Sequence, residues 1–316
     1  MSSERRCYQL LSKYKNISAI FVIFSLIYIL QTLFLHPVSR AMQEYHPPVG
    51  QAKDIALALA IPYIIVWFVA LLGYLGLHDY SLRIVSSKDG LSFHKISQGI
   101  LILSIWLPLS AIIGILFRQI YVKHTGSTAG LVIVNNYLNV AALIPAFILI
   151  NQGAKKLVPL TKVIRRPSEQ KLLIAYICFA VIYVWIVLSD PARRVPTSTI
   201  SPATYYEPDW LIITTIIIPR LIMWFLGAQA VQCIYFYKQK VKGTIYKASL
   251  RNLAYGIGWI VIASIVLRIN QSVTIELQYL SMGLLIAVRY LILILVGIGY
   301  VLLSKGSEKL QYIENT

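Results

Sequence analysis

Ile61-Pro62-Tyr63-Ile64-Ile65-Val66-Trp67-Phe68 and Ile218-Pro219-Arg220-Leu221-Ile222-Met223-Trp224-Phe225 are one phrase written twice, 157 residues apart. Each octet sits inside an apolar run of about twenty residues, the length a helix rising about 1.5 Å per residue needs to cross a hydrocarbon core about 30 Å thick. Outward from the octets, Gly99 meets Gly256 at the same offset. Further on, Ile150-Asn151-Gln152-Gly153-Ala154-Lys155-Lys156-Leu157 aligns with Leu303-Ser304-Lys305-Gly306-Ser307-Glu308-Lys309-Leu310 at offset 153, four residues being absent from the second outer loop. Upstream, Ile27-Tyr28 pairs with Ile182-Tyr183, and His36-Pro37 with Asp190-Pro191. Matches that keep their order with small drifts in offset predict an internal duplication.

The apolar runs number eight, at residues 17–35, 55–77, 96–117, 129–151, 171–188, 210–235, 253–270 and 281–303. Of the 316 residues, 58% are hydrophobic and 13% charged, which departs from a soluble domain in the direction of lipid as solvent. Leu and Ile fill every face of these runs, whereas a lipid-spanning strand alternates over about ten residues. The predicted fold is an all-α integral membrane protein with eight transmembrane helices in two tandem four-helix repeats. Residues 1–16 form a terminal segment, 17–157 the first repeat, 158–170 a basic linker, 171–310 the second repeat and 311–316 a tail. An even number of spans per copy makes the copies parallel, related by an axis along the membrane normal.

Orientation follows from Lys and Arg. The formal net charge is +17, with 29 basic and 12 acidic residues. Twenty basic residues fall on the side that holds both termini, among them Arg5, Arg6, Lys13 and Lys15. Seven fall on the other side, counting Arg268 with the loop it borders, and Arg220 and Arg289 lie within spans. Basic segments resist translocation, so both termini are expected in the cytoplasm, with the plasma membrane as the expected location. A soluble protein of this charge would point to nucleic acid; here the loop-by-loop asymmetry assigns the charge to topology and to anionic headgroups, and no nucleic-acid partner is expected. Ser39-Arg40-Ala41 after span one imitates a signal-peptide cleavage site. Span one corresponds to span five, however, so it is expected to be retained.

Two charges stand deep in the spans. Arg220 lies about 16 Å from the outer end of span six, and Arg289 about eight residues into span eight. Such a charge costs about 2.5–3.5 kcal/mol on insertion scales and normally faces the bundle interior or a water-filled cavity. In the first copy, Tyr63 stands where Arg220 does and Asn136 where Arg289 does, with Asn135 and Asn139 beside Asn136 at helical spacing. Neutral polar positions in one copy and cations in the other fit a site for one anionic ligand between the copies. The alternative is that the arginines hydrogen-bond to Asn, Gln and Tyr and hold helices together. Pro62 and Pro219 remove a backbone donor at equivalent places and are candidate kinks.

The remaining chemistry is sparse. Cys7, Cys178 and Cys233 give neither a disulfide framework nor metal spacing. The five histidines fall in loops or at span ends without metal-ligand spacing, so no metal, cofactor or catalytic residue is assigned. Spans seven and eight lack an interior Lys for a retinal Schiff base. Three functions remain: a carrier or pore for an anionic or amphiphilic small molecule between the copies; a scaffold, sensor or lipid-binding subunit, alone or with an unidentified protein partner; and an enzyme acting on lipid or headgroup. The first is favoured by polar residues at matching depths. The third would gain from convergence of His78, Asp79 and His94 in a cytoplasmic cleft.

Overall fold

The computed structural model describes residues 3–34, 49–84, 88–125, 129–158, 167–188, 213–278 and 282–312. These form nine α-helices: α1 (Ser3–Lys13), α2 (Lys15–Phe34), α3 (Val49–Arg83), α4 (Lys88–Thr125), α5 (Ala129–Leu157), α6 (Pro167–Leu188), α7 (Ile218–Lys240), α8 (Thr244–Gln278) and α9 (Met282–Tyr312), with a π-helical turn at Ile213–Ile217 leading into α7. Helices α2 to α9 overlap the eight apolar runs in order. The 38 residues of α4 make a rod about 57 Å long, so the longer helices run well past the hydrocarbon core. Within the terminal segment, Ser3–Lys13 is helical as α1 and packs on α2 and α3.

Among the described residues, five stretches are long and apolar enough to cross a membrane: Ala60–Arg83, Asp89–Ile113, Leu138–Leu157, Thr244–Val266 and Tyr290–Glu308. Lys15–Gln31 and Leu173–Trp185 are shorter apolar helices. Ile174, Ile177, Val181 and Trp185 form one exposed stripe on α6, and Val22, Leu26 and Leu30 another on α2. Large apolar side chains facing outward at helical spacing are unfavourable in water and satisfied by lipid. The architecture is that of a helical membrane protein.

Six helices close into a ring in which α3 packs on α4, α4 on α5, α5 on α7, α7 on α8, α8 on α9, and α9 back on α3. The closest approaches are set by missing side chains, because helices embedded in lipid gain from backbone proximity. A Cβ on Gly99 of α4 would stand 2.5 Å from the Ala146 carbonyl oxygen of α5; on Gly256 of α8 it would stand 2.8 Å from the Gly299 carbonyl oxygen of α9. One helix pair in each half of the ring is therefore pinned by glycine. A second likeness is aromatic: Tyr28 of α2 meets Trp67 of α3 at 4.9 Å and 66°, and Tyr183 of α6 meets Trp224 of α7 at 4.8 Å and 73°. Both indoles and Tyr183 are almost wholly buried.

Pro62, Pro108 and Pro145 lie inside continuous helices. Pro219 lies in the first turn of α7, directly after the π-helical turn. Its missing donor thus falls where the hydrogen-bond ladder changes register.

Candidate functional site

Polar side chains join the two halves of the ring. Asn151 of α5, 2% exposed, donates from Nδ2 to Oε1 of Gln229 on α7 at 2.8 Å. Near the last turn of α7 the Tyr237 hydroxyl donates to Oδ2 of Asp89 on α4 at 2.6 Å. The Tyr246 hydroxyl of α8 stands within hydrogen-bonding reach of Tyr237 and of Tyr80 on α3. Burial, followed by the bond to Asp89, pushes the Tyr237 phenol well above its ordinary range. Tyr80 and Tyr237 stand at the repeat offset of 157, and so do Asp89 and Tyr246.

Arg220 is half-buried on α7 and engaged with a neighbour. It lies about 14 Å along the helix from Gln229 and about 25 Å from Tyr237. Tyr63 packs its ring against Tyr28 and Trp67, 6.2 Å from each. Asn139 accepts a hydrogen bond from the Trp106 indole of α4 at 2.8 Å, which commits one oxygen lone pair to helix packing. Asn135 and Asn136 lie on α5 and Arg289 on α9, but their side chains are outside the described residues.

A second polar group gathers where α1 meets the end of α3 and the start of α4. Asp79 is 1% exposed. Its Oδ1 accepts from the Lys13 ammonium of α1 and, at 3.2 Å, from the Tyr14 hydroxyl; its Oδ2 accepts from Arg83 at 2.6 Å, one helical turn on. A buried carboxylate requires such partners, and two cations with a phenol supply them. The hydrogen bond to Asp79 holds the Lys13 ammonium above its ordinary value of 10.5. Burial first, and the Asp79 charge second, raise the Tyr14 phenol above 10.0.

The neighbouring imidazole of His78 stacks on Tyr74 at 5.3 Å and 20°, meets Tyr14 edge-on at 5.7 Å, and lies 5.8 Å from the His94 ring of α4. Gln98 approaches Nε2 of His94 at 3.1 Å. Nδ1 of both histidines is buried without a hydrogen-bond partner. Two imidazoles, a carboxylate and a phenol are thus brought together from α3, α4 and the turn between α1 and α2. Part of this was readable in advance: Asp79 and Arg83 have ion-pair spacing on a helix, and His94 and Gln98 share a face. The Lys13 contact, 66 residues away in sequence, had no local signal. Among the described residues no three His, Cys, Asp or Glu side chains are placed to hold a metal ion.

At offset 157, the positions of His78, Asp79 and His94 are taken by Tyr235, Phe236 and Arg251. Helix α7 nevertheless packs on α8 as α3 packs on α4. The α7–α8 pair thus forms without imidazoles or a carboxylate at those positions. No protein-family model, curated protein or solved structure matches the chain.

Proposed function

We propose that the protein is an eight-span carrier made of two parallel four-helix copies, with both termini cytoplasmic in the plasma membrane, and that it moves an anionic or amphiphilic small molecule along the interface between the copies. The duplication is supported by the matched Tyr–Trp contacts, the matched glycine approaches and the ring in which each helix pair of one half has a counterpart in the other. The transport reading rests on one observation: the halves are joined by side-chain hydrogen bonds at one end, Tyr237 to Asp89, and about midway along α7, Asn151 to Gln229, while Arg220 is held half-buried towards the other end. Each such bond is worth only about 0.5–1.5 kcal/mol net, or about 1.5–3 where a charge takes part, so that end can open and reclose. Arg220 and Arg289 then serve as counter-charges for the solute, with Tyr63, Asn135, Asn136 and Asn139 as the polar lining of the first copy.

The test is flux into reconstituted vesicles across a panel of anionic solutes. Wild type is expected to move at least one solute, and Arg220→Gln and Arg289→Gln to slow it by about tenfold or more. Absence of flux by wild type across the panel would sink the carrier reading.

A second reading, a membrane enzyme acting on a lipid or headgroup, is favoured by the convergence of His78, Asp79 and His94. Mass spectrometry of phospholipids incubated with wild type and His94→Gln decides it: a new product made only by wild type favours the enzyme.

A further inference from the structure

We propose that the corner formed by α1, α3 and α4 binds a phosphate group, carried by an anionic lipid or free in solution. Hydrogen-bonding capacity is unbalanced there. Lys13 brings three N–H donors, Arg83 five and Tyr14 one, and Asp79 offers them two oxygens. The side chains of Lys13 and Arg83 remain 57% and 42% exposed, so their unspent donors face outward while Asp79 fixes their inner ends. Beside them, His78 and His94 each keep a ring nitrogen without a partner. A compact anion with several acceptor oxygens satisfies this excess, and guanidinium and ammonium groups recognise phosphate in this manner.

The second half serves as an internal control. Where α7 meets α8, Tyr235, Phe236 and Arg251 stand in place of His78, Asp79 and His94. The α3–α4 pairing therefore has a counterpart without this charge network, which in the first corner also anchors α1 through Lys13. The corner's position suits a headgroup, since Arg83 is the last residue of α3 and of its apolar stretch, and Lys13 ends a polar helix just before another. At that depth a lipid phosphate lies within reach of long basic side chains. The inference does not depend on transport.

The test uses the full-length protein in nanodiscs of phosphatidylcholine alone and of phosphatidylcholine doped with phosphatidic acid, with native mass spectrometry reading the lipid retained. Preferential retention of phosphatidic acid is expected, and Arg83→Gln and His94→Gln are each expected to reduce it by about fivefold or more. Asp79→Asn, which removes the competing carboxylate, is expected to retain more phosphatidic acid than wild type. Inorganic phosphate is added in a further arm. If it displaces the lipid or raises the melting temperature in neutral nanodiscs, free phosphate is also a ligand; if it does neither while the lipid preference holds, the headgroup is the source. No preference and no phosphate effect, or a preference that both Arg83→Gln and His94→Gln leave intact, would overturn the proposal.

Discussion

Trp67 and Trp224 occupy matching places, yet their indole N–H groups fare differently. Trp224 donates to the Ser264 hydroxyl at 2.7 Å, whereas Nε1 of Trp67 is buried without a partner, and Leu107 stands at the position equivalent to Ser264. Trp224→Phe is therefore expected to cost about 0.5–1.5 kcal/mol more than Trp67→Phe, read from detergent melting curves. Asp79 differs in being a buried charge. Asp79→Ala leaves Lys13 and Arg83 without their shared acceptor, and a loss of about 1.5–3 kcal/mol is expected in the same assay, since hydrogen bonds to charged groups fall in that range. The pH dependence has a definite sign. Lys13 and Tyr14 are both raised above their ordinary values in the folded protein, so their contribution is complete below about pH 10 and is lost as pH climbs past it. The melting temperature in detergent should hold steady from neutral pH up to about pH 10 and fall once pH passes about 10.5.

Helix pairs are fixed by glycine at particular points. A Cβ on Gly99 or Gly256 would collide with backbone oxygen of the facing helix, and backbone cannot step aside as a flexible side chain can. Gly99→Ala and Gly256→Ala are each expected to cost about 1–3 kcal/mol. Gly258→Ala, whose new methyl would meet Val231 only at 3.8 Å, is expected to be neutral or slightly stabilising because alanine is the better helix former. Thermal melts of the three variants check this. The eight long helices were legible from the sequence because lipid demands unbroken apolar runs. Helix α1 was not: SERRCYQLLSK is polar on average and carries no membrane signal, and its anchor, Asp79, is distant in sequence. The π-helical turn before Pro219 was equally hidden, since a proline marks a lost donor but not how the ladder adjusts.

Across the whole molecule, six helices form a ring; α2 packs on α3 and α4, and α6 meets α7 through the Tyr183–Trp224 contact. The proposed duplication rests on phrases around Pro62 and Pro219, and around Gly153 and Gly306, that keep their residue types. The corner at Asp79 was readable only in part, because its meaning lies in what the second half lacks, and that difference appears once equivalent positions are set side by side. The central proposal is a chain that crosses the membrane eight times in two parallel copies with both termini inside. Single-cysteine accessibility in intact cells tests it most directly, after Cys7, Cys178 and Cys233 are replaced by Ser. Ser86→Cys, Thr161→Cys and Lys242→Cys should react with a membrane-impermeant maleimide only after the cells are opened. Ser39→Cys, Ser127→Cys, Ser198→Cys and Ser281→Cys should react in intact cells. Matching sites of the two copies that label from opposite faces, Ser86 against Lys242 or Ser39 against Ser198, would contradict the parallel arrangement.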